Sequence, residues 1–264
     1  MTLQTQLPVQ IVNAGLVYAY GCQVDVAPPS DVLISAGQVR DYTNTYDIVV
    51  NEPLTVSTAF VGPGGLDQGT IAADTFYAVY VLYDVSHTNP PVGLLSTVSK
   101  APVMPSRNGV TYTSYRVVGY VKTDALSVLL DFSPVGTGND RELFWGDSIG
   151  VLIGGTATTY APVSLDVAVP SIIGMSDFLQ DSISVSLTAA LTPSAAGESV
   201  RLANFNEPLG QQSCELSASV SAVRQAAQLN LAANFNVLND YRIKYHVTLT
   251  GSVDLSVCSF KYSI

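Results

Sequence analysis

Apolar residues recur along most of this chain with a period of two. "TYDIVV" puts Tyr46, Ile48 and Val50 on one face, with Thr45 and Asp47 on the other. "LTVSTAF" repeats the pattern with Leu54, Val56 and Phe60, while "SISVSLTAAL" and "CELSASVSAV" alternate small polar with apolar residues. This is the rhythm of strands with one buried face. "DYRIKYHVTLTGSVDLSVCSFKYSI" predicts a hairpin: Ile243, Tyr245, Val247 and Leu249 share a face, "TGS" turns, and Val253, Leu255 and Val257 return. Beyond Val257 the apolar residues are Cys258, Phe260 and Tyr262, so the parity flips. An extra residue near Cys258 or Ser259, a β-bulge, would produce that flip.

"DTFYAVYVLYD" (74–84) breaks the rule. Phe76, Ala78, Tyr80 and Leu82 form one apolar face, and Tyr77, Val79, Val81 and Tyr83 form a second. Leaving either face wet invites aggregation. The second face is covered by another layer of the same domain or by a neighbouring copy. The tyrosines, apolar with a polar tip, suit an interface. Tyr77, Val79, Val81 and Tyr83 are therefore the expected assembly interface.

Turn signals divide the rest. "GPGGLDQGTIAAD" is a glycine-dense loop, and "SHTNPPVGLLSTVSKAPVMPSRNG" leads into the strand candidate "TYTSYRVVGYVKTD". "SPVGTGNDRE" (133–142) is the best domain boundary. Two segments have helical composition, "SDFLQDS" (176–182) and "VRQAAQLNLAANF" (223–235). Many short strands between Gly- and Pro-containing turns predict an all-β chain of two sandwich or jelly-roll-like domains. The expected organisation is an N-terminal arm with first strands (1–30), a β-sandwich module (31–140) and a C-terminal β-sandwich (141–264).

Charge narrows the function. Only 12% of the 264 residues are Asp, Glu, Lys or Arg, and the net charge is −10. Lys and Arg are absent from residues 1–39 and 41–99, and the closest basic pair is Arg242 with Lys244. Phosphate backbones need clustered cations, so nucleic acid is not an expected partner. "MTLQTQLPVQ" has no positive n-region, and charge-free runs such as "SIGVLIGGTATTYAPVSL" are broken by Gly, Pro and Thr. Synthesis in the cytosol and no membrane span are expected. Cys22, Cys214 and Cys258 have no metal-ligand spacing and read as free thiols, and His87 and His246 are the only histidines.

One motif resembles chemistry. "WGDSIG" matches GxSxG through Gly146, Ser148 and Gly150, and "GDSI" is similar to the GDSL-type esterase signature. A nucleophile elbow needs a following helix, a base and an orienting acid. "VLIGGTATTYAP" is no helix, and Asp240 with His246 is the nearest acid–histidine pair, at the wrong spacing. Glu142 with Asp147, or Asp67 with Asp74, could serve a glycosidase only as a matched pair, and nothing sets them apart from solvated acids. "GPGGLDQG" lacks the Lys of a phosphate loop, and "GTGNDRE" lacks calcium-loop spacing. No catalytic, cofactor or metal residue is expected.

The blocks "ISAGQVRDYTNTYDI", "GGLDQGTIAADTFYAVYVLYD", "GLLSTVSKAPVMPS" and "YRVVGYVKTD" together resemble a module of tailed-bacteriophage virion proteins, especially of short-tailed phages. The resemblance spans roughly residues 34–145. "LTPSAAGESVRL" and "VDLSVCSFKYSI" resemble the β-domain that often follows it. It implies a non-enzymatic virion protein: a tail fibre or adaptor, or a capsid-surface head fibre or decoration. Gly64 and Gly65 would form a tight loop, Leu94 and Leu95 core, and Gly119 a close strand contact. The implied partners are copies of itself, most simply a trimer, and other phage virion proteins. A host-surface glycan would be the partner in a second reading, in which exposed aromatics such as Trp145 or a tyrosine cluster stack on sugar rings. The alternatives are a carbohydrate-binding receptor module of the tail and a GxSxG esterase.

Overall fold

A computed structural model describes residues 18–27, 29–97, 101–170, 183–204, 214–219, 224–233 and 242–264. The strands of the first half are β1 (Ala19–Gly21), β2 (Val24–Ala27), β3 (Asp31–Ile34), β4 (Gly37–Arg40), β5 (Asp47–Val50), β6 (Leu54–Ser57), β7 (Phe76–Tyr83), β8 (Val92–Ser96), β9 (Ser106–Arg107), β10 (Val110–Thr111) and β11 (Ser114–Lys122). The second half carries β12 (Phe132–Val135), β13 (Asp140–Gly155), β14 (Ala161–Ser164), β15 (Ile183–Thr192), β16 (Ser199–Asn204), β17 (Cys214–Ser217), β18 (Gln225–Ala233), β19 (Arg242–Val247) and β20 (Ser252–Ser263). All named pairings are antiparallel, and there is no helix among the described residues. The fold is all-β and sandwich-like.

In the first half, the sheet β11-β7-β8 lies against β2-β3-β6, with β1-β4-β5 and the β9-β10 hairpin beside them. The two-faced strand is β7, and the chain itself covers both its faces. Gly93 is the register partner of Val81, and a Cβ on it would meet Val56 Cγ2 at 2.1 Å and Ile34 Cδ1 at 3.0 Å. Gly119, partner of Val79, would carry a Cβ 2.7 Å from Val24 Cγ2. The β2-β3-β6 sheet is thus pressed onto the Val79–Val81 face at two glycines. Tyr77 is 3% exposed, and Val79 and Val81 are fully buried. The interface expectation is corrected for these three: another layer of the chain already covers them, and no neighbour can reach them. Tyr83 alone reaches the rim, half-buried.

In the second half, the five-stranded sheet β12-β13-β20-β15-β18 packs on β14-β19-β16-β17. The chain passes repeatedly between the two sheets. The expected hairpin over 240–264 is one such passage: β19 pairs with β14 and β16, whereas β20 pairs with β13 and β15. Ile243, Val247, Val253, Leu255 and Val257 are fully buried in the shared core. Two apolar faces that look like partners across a turn instead belong to two opposed sheets. The helical reading of 223–235 is also corrected. Its described part, Gln225–Ala233, pairs with β15 over nine consecutive residues, because sheet context overrides helix propensity. The other helix candidate, 176–182, lies outside the described residues.

The expected bulge is present. Ser186 pairs with Ser259 and Leu187 with Val257, which leaves Cys258 as the inserted residue. Burial follows it, with Val253, Leu255 and Val257 inward, then Phe260 and Tyr262.

The "SPVGTGNDRE" stretch is the β12–β13 hairpin, bonded back onto the first half rather than hanging as a linker. Gly21 N–H donates to Thr137 O at 2.9 Å, and the Gln23 amide donates to Pro134 O and Gly136 O. Buried Arg141 donates to Gly21 O, Cys22 O and Val118 O at 2.6–2.7 Å. Phe76 meets Trp145 at 6.1 Å and Tyr120 meets Tyr262 at 5.4 Å between ring centres. The two halves therefore share one continuous apolar core.

Candidate binding surface

The sequence-predicted chemistry does not assemble. Ser148 is exposed within β13, in a stretch where four residues, Trp145–Ser148, face only Cys258 of β20. It stands in a strand irregularity, not on a strand-to-helix turn. Glu142 accepts from Ser259 Oγ at 2.7 Å and pairs with Lys261 at 3.3 Å. Asp67 is buried and accepts from Ser96 Oγ and Val103 N–H, whereas Asp74 is exposed 3.9 Å from Lys122 Nζ. No cluster of three metal-ligating side chains exists among the described residues. Trp145 is no sugar platform. It is 6% exposed, packs on Phe76, Phe132 and Phe260, and donates Nε1–H to Ala168 O. Leu94 and Leu95 are fully buried, and Gly64 takes φ +87°.

The structure brings other residues together. Three loops share one design: an aspartate, then a residue in the left-handed region three positions later whose N–H returns to the aspartate carbonyl. These are Asp41 with Asn44 (φ +56°), Asp84 with His87 (φ +57°) and Asp124 with Ser127 (φ +63°). Each aspartate side chain also accepts from the N–H four residues on: Thr45, Thr88 and Val128. Left-handed backbone is costly for non-glycine residues, and the carboxylate, buried at Asp41 and Asp84, offsets that cost by satisfying the loop amides.

The Asp41 and Asp84 loops are the closer twins. Asp41 accepts from Thr43 Oγ1, Thr45 N–H, Tyr46 N–H and Ser114 Oγ; Asp84 accepts from Ser86 N–H and Oγ, Thr88 N–H and Asn89 N–H. Burial alone would raise the Asp41 carboxyl, but these donors hold it below the ordinary aspartate value. The Ser86 hydroxyl, with the loop amides, does the same for Asp84 against burial.

The twin loops present rings. Tyr46 lies 6.3 Å from Tyr83, and His87 lies edge-on to Tyr83 at 5.5 Å, with Tyr83 Oη 3.0 Å from His87 Nδ1. Tyr42 stacks on Tyr115 at 4.3 Å and 8°, and Tyr115 meets buried Tyr80 edge-on. Register partners share a face, so Ser114 goes with Tyr83 and Tyr115 with Leu82. The Asp41 loop therefore clasps edge strand β11, with Tyr42 on one face and Tyr46 on the other. Tyr42 and Tyr46 are 41% and 43% exposed. Burial raises the Tyr83 hydroxyl pKa, helped by Asp84 and Tyr46.

Apart from Tyr83, this surface was missed in the sequence. The signal was "DYTNTY" and "DVSHTN": Asp, a hydroxyl residue two on, a left-handed-tolerant residue three on, then Thr.

No known protein-family description matches the chain. No curated protein matches it in sequence. Among solved structures it is similar to a CBM4 structure, at 10% identity and TM-score 0.21, over 50% of this chain and 78% of that one. It is also similar to the infectious bursal disease virus Gx strain structure, at 10% identity and TM-score 0.23, over 94% and 71%. The VP2 subviral particle of the same virus gives 12% identity and TM-score 0.22, over 94% and 71%. Likenesses this slight carry no argument about function.

Proposed function

We propose that the chain is a non-enzymatic structural protein of a bacteriophage particle. It acts as a homo-oligomer, most simply a trimer, joined to other virion proteins as a tail fibre or adaptor component or as a capsid-surface head fibre or decoration. The ordered sequence blocks between residues 34 and 145 support the phage assignment. The observation that carries the structural role is the employment of the buried polar groups. Arg141, Asp41, Asp84 and Asp67 are buried and satisfied by backbone or hydroxyl partners. Each holds a loop or joins the two halves.

The copy-to-copy contact in this reading lies away from Tyr77, Val79 and Val81. Native mass spectrometry of the purified chain tests the assembly: a defined homo-oligomer is expected, and a monomer at every concentration contradicts it. Turnover of ester or oligosaccharide substrates that disappears in Ser148→Ala or Glu142→Gln would overturn the non-enzymatic reading.

A further inference from the structure

We propose that the rim formed by Tyr46, Tyr83 and His87 is a binding site for a neutral saccharide. Three features converge there. First, ring faces are available at the surface: Tyr46 is 43% exposed, Tyr83 half-buried and His87 exposed. Pyranose rings present C–H faces that such π-surfaces accept, while their hydroxyls need donors and acceptors close by.

Second, those polar groups are present and already placed. Tyr83 Oη and His87 Nδ1 lie 3.0 Å apart, and Ser86 Oγ and Thr88 Oγ1 lie 2.9 Å apart on the same loop. Asp84 holds Ser86 and Thr88, and Asp41 holds Tyr46 through its amide. Preorganised loops lower the ordering cost of binding. Tyr46 and His87 stand on loops whose backbone is held by buried carboxylates, and Tyr83 ends strand β7 between them.

Third, the charged groups described around the rim are already engaged. Asp41 and Asp84 are buried with their oxygens engaged, and Asp47 beside Tyr46 is paired with Arg40. Exposed Arg107, whose carbonyl accepts from Asn89 Nδ2 of the Asp84 loop, has its guanidinium engaged by Tyr112. Hydroxyls, an imidazole and ring faces suit an uncharged, hydroxyl-rich ligand with apolar faces. The assignment does not rest on the particle reading. Either can fail while the other stands, because one is read from binding to isolated sugars and the other from assembly.

The test is isothermal titration and saturation-transfer NMR of the full chain. The probes are neutral oligosaccharides of glucose, galactose and mannose, beside one sialylated oligosaccharide. At least one neutral probe is expected to bind. Tyr46→Ala and His87→Ala should each weaken it about tenfold, with thermal unfolding little changed. Tyr83→Phe, which keeps the packing, should weaken it through loss of the hydroxyl. Tyr20→Ala, at an exposed ring of β1 outside the rim, should leave it unchanged. The proposal is overturned if no neutral probe binds, if the sialylated probe is preferred, or if binding survives Tyr46→Ala and His87→Ala. It is equally overturned if Tyr46→Ala acts by dissociating copies of the chain, which would make the rim a protein contact.

Discussion

Arg141 Nη1 donates to the carbonyl of Cys22 at 2.7 Å, across 119 residues of chain. The same nitrogen reaches Val118 O at 2.7 Å, Nη2 reaches Gly21 O, and Nε reaches Gly138 O at 3.2 Å. One planar guanidinium thus ties the start of β13 to β1, β11 and the loop before β2. Four carbonyls would lose their donor with it. Arg141→Ala is expected to cost about 3 kcal/mol or more. Arg141→Lys should recover little, since an ammonium cannot reproduce the flat fork. Urea unfolding checks both, and a loss in Arg141→Ala below about 1 kcal/mol would refute the tie.

Gly93 sets the spacing of the two sheets over β7. A methyl there would sit 2.1 Å from Val56 Cγ2, and Val56 is too stiff to swing aside. Gly93→Ala should destabilise by about 1–3 kcal/mol, and Val56→Ala in the same chain should recover part of that. Additive losses in the double variant would contradict the contact.

The twin aspartates predict an acid response of defined sign. The Asp41 and Asp84 carboxyls are held below the ordinary value in the folded chain, while the unfolded value is roughly 3.9. A group depressed on folding stabilises above its unfolded pKa, and its contribution is lost as pH falls through the folded pKa. Stability should stay level down to about pH 5 and then fall below about pH 4. Asp41→Asn and Asp84→Asn should lower stability at neutral pH and make the acid fall shallower. Denaturation curves across this window decide it; wild-type slopes in both variants would contradict the assignment.

Tyr262 gives the alkaline counterpart. Burial pushes its hydroxyl up to about 12, although Arg141 opposes the shift. Its stabilising contribution is present below the unfolded value of about 10 and is lost as pH rises through the folded value. Tyrosinate absorbance should therefore show Tyr262 ionising late, and Tyr262→Phe should remove one late step. An unchanged late amplitude in that variant would be the contrary result.

Much of the fold was legible because period-two alternation reports burial directly. The parity flip after Val257 located the bulge at Cys258, since an inserted residue must turn the following side chains over. Alternation cannot say which sheet a strand joins, so "TGS" looked like a hairpin turn when it carries the chain between sheets. The two apolar faces of β7 correctly demanded cover. The donor of that cover was hidden in Gly93 and Gly119, whose absent side chains admit Val56 and Val24. The tyrosine rim was harder to see, because it depends on Ser114 and Asp41 meeting across 73 residues.

The particle itself offers the most direct test of the central reading. Gradient-purified phage particles, grown from the genome that encodes this chain, can be analysed by quantitative mass spectrometry against the major capsid protein. The account predicts the intact chain at a fixed copy number per particle, in a multiple set by its homo-oligomer. Its absence from purified particles, with the chain left free in the lysate, would contradict a structural role in the virion.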